Sequence, residues 1–205
     1  NGKEDIAWYV LDKEAKNLIL ISMDVLDVME YSSDKNTSWA QSNIRKWLND
    51  DFLNEAFSEG ERNKMQDKDL PNDDGVHSLD YAYLLSKEEA YSYFGIGEDI
   101  LFQNFDSYEK KCAYLLNSVD ERIYAKPTAY AINKGAYEWT KKNTERMQQF
   151  NGVDVSKAEG NTNWWLRSFT KEGDTAFYIE SMGSVDSNIY VDSKMGIRPV
   201  IIVKP

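Results

Sequence analysis

Apolar residues fall in short bursts along this chain, and the rhythm of the bursts differs between its ends and its middle. At the start, Ile6 to Leu11 and Leu18 to Ile21 flank the polar stretch Asp12 to Asn17. This predicts a hairpin in which Trp8, Val10, Leu18 and Leu20 or their neighbours share an inward face. Met23 to Met29 continues with Val25, Leu26 and Val28 and fits a third strand or one helical turn. At the other end, Trp164 to Phe169, Ala176 to Ile179, Val185, Ile189 to Val191 and Ile197 to Val203 read as four or five short strands that carry the sheet. Pro199 has no N–H, so its strand is at an edge there or has just begun.

Between these ends the spacing turns helical. Ser38-x-x-Gln41 is a candidate capping box ahead of Ile44, Trp47 and Leu48, and Asn49-Asp50-Asp51 is expected to interrupt that helix before Phe52, Leu53, Ala56 and Phe57. Ser58-x-x-Glu61 and Ser86-x-x-Glu89 are further N-terminal signals, the second opening a helix with Ala90, Tyr91 and Phe94 that Gly95 and Gly97 stop. Tyr81 to Leu85 is strand-like. From about 99 to 122, Phe102, Phe105, Tyr108, Cys112, Leu115 and Leu116 approximate a helical stripe, and an irregular insertion fits equally. Either Pro127 starts the next helix or the Thr128 hydroxyl caps it. Tyr137 to Phe150 is a solvated helix or a loop. Strands at both ends with short helices between them predict one α+β domain over 1–205, with N- and C-terminal strands in one antiparallel sheet and long loops around it.

Composition narrows the chemistry. The 205 residues carry 35 acidic against 24 basic side chains, a net charge of −11, which argues against nucleic acid or an anionic membrane surface as partner. No run is long and apolar enough to insert into a membrane. Opening at Asn1-Gly2 without Met, the chain is expected to be a mature form whose export signal has been removed, destined for the cell surface or exterior, with a cytoplasmic origin left open. The single cysteine, Cys112, permits no internal disulfide and no thiolate cluster, and is read as a small buried residue. With 13 Tyr and 6 Trp there is aromatic surface to spare for loops or for a ligand.

Few motifs carry reaction chemistry. Phosphate loop, zinc-protease helix, nucleophile elbow and Cys-x-x-Cys are all missing. The loop Asp67 to Gly75 offers Asp67, Asp69, Asn72, Asp73 and Asp74 as oxygen donors of the kind that hold Ca²⁺. It departs from the EF-hand pattern, because Pro71 takes the third ligand position and no Gly stands at the sixth. No cofactor is otherwise expected. In Trp164-Trp165-Leu166-Arg167-Ser168 adjacent indoles point to opposite sides of an extended backbone, so one can enter the core while the other covers a second layer or lines a cleft. Arg45, Arg167 and Arg198 offer rigid donor forks, and forks beside Trp39 or Trp165 would suit an anionic or sugar-like ligand. Each fork could equally tie a loop to the sheet.

Several ordered blocks resemble a bacterial domain family of unknown function that is common in exported or surface proteins of anaerobic gut bacteria. They are Trp39 with Ser42 to Asn49, Phe52 with Ala56-Phe57, Leu84 to Ala90, Pro127 to Ala131 with Gly135, the Trp164 to Ser168 block and Gly196-Ile197-Arg198-Pro199-Val200. The resemblance spans nearly the whole chain and implies no catalytic residues. A more distant likeness is to the C-type lectin-like fold, including the formylglycine-generating group, whose chains also close on a Gly-x-Arg strand, here Gly196 and Arg198. That fold's calcium motifs, Glu-Pro-Asn or Gln-Pro-Asp with Trp-Asn-Asp, are missing, and so is the oxidising members' cysteine pair. The expectation is a non-catalytic surface module for a glycan or protein ligand, favoured if Trp39, Trp139 or Trp165 is exposed in a concave patch. Two alternatives are a small-ligand or enzymatic domain with an arginine-lined pocket and a purely structural domain of a cell-surface protein.

Overall fold

The N-terminal hairpin forms where the apolar runs place it. In the computed structural model, which describes residues 5–97 and 104–205, β1 (Trp8–Glu14) pairs antiparallel with β2 (Asn17–Ser22), with Glu14 opposite Asn17. The last strand, β12 (Val200–Val203), lies antiparallel against β2 with Val200 opposite Ile21. On its other side β12 takes two short strands, β4 (Met65–Gln66) and β7 (Ala82–Tyr83). N- and C-terminal strands therefore share one antiparallel sheet, and Pro199 sits just before a central strand rather than on an edge.

The other C-terminal strands do not join that sheet, contrary to expectation. They form a second one in the order β10 (Val185–Tyr190), β9 (Thr175–Ile179), β8 (Trp164–Phe169), β11 (Lys194–Ile197) and β3 (Asp27–Glu30). The β8–β11 pair is parallel and the others antiparallel. The apolar run Ile197 to Val203 thus divides at Arg198-Pro199, where proline removes a ladder donor and lets the chain pass from one sheet to the other. Met23 to Met29 supplies β3 rather than a helical turn.

Asp67 to Gly75 is not one loop. Its first half is β5 (Lys68–Pro71), paired with β6 (His77–Asp80), and Gly75 turns the hairpin at φ +77°.

Among the helices, Ser58 and Ser86 cap where expected, each through a full capping box, and Thr128, not Pro127, caps Ala129–Asn133. Ser38 gives no side-chain cap to the short turn Trp39–Gln41, and Ser42 caps Asn43–Trp47 instead. Asn49 does not end that helix. The backbone stays helical through a π-helical turn over Leu48–Phe52 into Leu53–Ala56, and the Asn49 amide reaches across to Ala82 O (2.8 Å) and accepts from Tyr81 N (2.8 Å). A polar residue read as a breaker is a tether, and the wider turn re-aims it. The open segment about 99–122 carries the helix Tyr108–Ser118, while residues 98–103 lie outside the described ones. Lys141–Asn151 is helical, capped by Thr140. Both sheets and the helical residues Ile44, Leu48 and Phe94 contribute to one large core. A satellite core of Cys112, Leu116, Val155, Ala158 and Met182 lies beside it.

Candidate functional site

The structure turns most of the arginines and tryptophans singled out from sequence inward. Trp39 is fully buried and its Nε1 donates to Asp80 Oδ2 at 2.8 Å. Arg45 Nε donates to the other oxygen of the same carboxylate at 2.7 Å, and Ser78 Oγ donates to Oδ2 at 2.9 Å. Asp80, unremarked in the sequence, is thus the hub that explains both, because a buried carboxylate is tolerable only with its acceptor sites filled. The two adjacent indoles do point to opposite sides, but both sides are core. Trp164 donates to Ile123 O and packs edge-on against Phe94, and Trp165 donates to Met29 O and packs against Tyr31 and Tyr178.

Arg198 is also fully buried. It donates to Ser22 O (2.8 Å) and Ile123 O (3.2 Å) and lies 5.0 Å from the Trp164 ring, so it locks the crossing between sheets. Burial pushes its pKa down to about 9, leaving it a cation at neutral pH. Trp39, Trp165 and Arg198 are therefore corrected from ligand contacts to framework. Their indole N–H groups and Arg198 Nε and Nη1 are spent on the protein, while the buried Arg198 Nη2 has no hydrogen-bond partner among the described residues.

Among the described residues, Arg167 is a fork that lines a cleft. It shares a volume of about 410 Å³ with Lys68, Asn72, Asp73, Ser86, Glu88, Glu89 and Ser168. The fork is already engaged, with Nη1 donating to the Glu89 carboxylate and to Leu84 O (3.2 Å), and Lys68 Nζ meeting Glu89 from the other side at 3.2 Å. Burial alone would raise the Glu89 pKa, but Arg167, the Ser86 backbone N–H and Lys68 outweigh it and hold the carboxyl below its usual range. This carboxylate is both helix cap and counter-ion.

The calcium-type donors disperse. Asp73 Oδ2 accepts from Phe169 N (2.9 Å), Asp74 Oδ1 from Val76 N (3.0 Å), Asp69 meets His77 Nδ1 (3.0 Å), and Asp67 is exposed. Each engaged carboxylate has its own partner, and among the described residues no group of three or more carboxylate, His or Cys side chains converges for a metal ion.

A second hollow assembles what the first lacks. Tyr108 opens its helix, Tyr137 and Trp139 precede the Thr140 cap, Asn163 precedes β8, and Glu180 to Met182 turn between β9 and β10, and with Met147 they line about 250 Å³. Trp139 is held by its backbone, with its N–H on Asn161 O and its carbonyl accepting from Gly160 N (both 2.8 Å), and its Nε1 donates to Thr144 Oγ1 at 3.1 Å. One side of the indole packs on the satellite core. Tyr108 and Tyr137 remain 44% exposed, so their rings meet solvent at the rim.

Glu180 gives the hollow its charge. Oε2 accepts from the Tyr108 hydroxyl. Among the described residues, Oε1 has only the Tyr178 hydroxyl at 3.4 Å, whose single proton is better placed on Asn188 Oδ1 at 2.9 Å. Burial raises the Glu180 pKa, the Tyr108 hydrogen bond opposes this, and Asp186 raises it further. Beneath the hollow, burial pushes the Cys112 thiol up to about 12, so it is protonated at neutral pH and fits a packing role. Trp139 had been named from sequence. Tyr108 was read only as part of a helical stripe, and Tyr137 and Glu180 were not read as site residues, since three separate segments meet only in the fold.

These features define a single α+β domain with an antiparallel sheet joining its terminal strands, several short helices, a polar cleft and an aromatic hollow. Residues 15–205 match the family described as domain of unknown function DUF6273, and the chain belongs to that family. No curated protein and no solved structure matches it. No helix among the described residues is long and apolar enough to cross a membrane.

Proposed function

We propose that this domain is a non-catalytic binding module of the cell surface or exterior, and that it holds a glycan in the hollow of Tyr108, Tyr137, Trp139 and Glu180. The observation that carries the reading is Trp139 itself. It is a half-buried indole, fixed by three hydrogen bonds, in a concave patch lined also by two exposed phenols, a carboxylate, and Asn163 and Ser181, which bond one another through Ser181 N–H and Asn163 Oδ1 at 2.8 Å. Sugars are recognised by this combination, an aromatic face for the C–H surface with directional polar groups around it. A C-type lectin-like outline is in keeping with terminal strands paired in one antiparallel sheet. No metal is assigned a part in binding.

The arginine-lined alternative rests on the larger cleft at Arg167. It is weakened by the fork's engagement with Glu89, since a ligand there would have to break an ion pair before gaining one. The test is a glycan array probed with the full chain, with and without chelator. Binding that ignores chelation and is lost in Tyr137→Ala supports the module. Silence across the array, or binding abolished by Glu89→Gln and untouched by Tyr137→Ala, overturns it.

A further inference from the structure

We infer that the hollow selects a sugar bearing a free amino group, whose ammonium sits between the aromatic rim and Glu180. This deepens the glycan reading above and rests on it. The first ground is a weakly satisfied acceptor. Glu180 lines the cavity, and among the described residues the donor nearest Oε1 is the Tyr178 hydroxyl at 3.4 Å, which lies closer to Asn188 Oδ1 at 2.9 Å. An amine N–H would complete it with a charge-assisted bond.

The second ground is charge. Glu180 makes no ion pair within 4.0 Å among the described residues, whereas Glu89 in the other cleft is met by two cations. Lys111 contributes only a distant attraction to Glu180, and Asp186 adds negative potential. The third is the lining, since Tyr108, Tyr137 and Trp139 share the cavity with one carboxylate, and aromatic rings favour an ammonium over an anion. The volume, about 250 Å³, admits one ring or head group rather than a folded segment. A neutral N-acetyl group would fill the same space but leave the carboxylate without a counter-charge.

Calorimetric titration of the full chain near neutral pH, with glucosamine oligomers and with N-acetylglucosamine oligomers of equal length, separates the two levels of the reading. The expected result is a preference of about tenfold or more for the free amine. Glu180→Gln, which keeps an acceptor and removes the charge, should abolish the preference with its melting temperature unchanged. Tyr137→Ala, altering an exposed ring, provides a second variant that retains the fold and should weaken both sugars. Equal binding of the two oligomers, or a preference that survives Glu180→Gln, overturns the ammonium inference while leaving a glycan site. Failure of both oligomers to bind overturns it too, and a positive glycan array would then show that the broader reading survives.

Discussion

Asp80 accepts from Trp39, Arg45 and Ser78 while fully buried, so its replacement leaves three donors, one of them charged, without their partner. Asp80→Ala is expected to cost about 3–5 kcal/mol in urea unfolding, with no change in the slope that reports exposed surface. Gly196 is fixed by space rather than by dihedral angle, because an added Cβ would lie 2.6 Å from Asn163 O and 2.7 Å from Val25 Cγ1. Gly196→Ala should therefore destabilise by at least about 2 kcal/mol, measured in the same way. Glu89 adds a pH signature. Its folded pKa lies below the ordinary 4.5, so its contribution is complete above that value and is lost as pH falls through the folded pKa. The stability gap between wild type and Glu89→Gln should thus be widest near neutrality and close in acid; a gap that widens on acidification would contradict the ion pair.

At the scale of elements, what was legible in sequence was local. The hairpin, the capping boxes at Ser58 and Ser86 and the strand blocks near the C-terminus were readable, because side chain and backbone partner sit three residues apart or alternate within one run. Ser86→Ala is accordingly predicted to cost about 1 kcal/mol, visible as a lower melting temperature. Features that depend on distant partners were misread. Asn49 looked like a breaker because nothing nearby reveals Tyr81 and Ala82 as its partners. The Asp67 to Gly75 stretch looked like a ligand loop because its polar residues were counted without the separate partners, His77, Phe169 and Val76, that Asp69, Asp73 and Asp74 meet in the fold. Arg167, Arg198 and the Trp pair were recognised as important, but composition cannot distinguish a fork aimed at a ligand from one aimed at a carbonyl.

At the scale of the whole molecule, two sheets meet where the chain passes Arg198-Pro199, and the buried guanidinium spans Ser22 and Ile123 across that junction. The last strand lies against the first hairpin, so the terminal sheet is closed by residues far apart in sequence. That framework leaves the aromatic hollow at the satellite core, on elements drawn from the middle and the last quarter of the chain. The most direct test of the glycan reading is an amide and indole NMR titration of the labelled chain with the tightest sugar from the array. The account predicts shifts centred on the Trp139 indole N–H and on the amides from Glu180 to Gly183, with the Arg167 cleft unmoved. Shifts centred on Ser86, Glu89 and Arg167, with Trp139 silent, would contradict it.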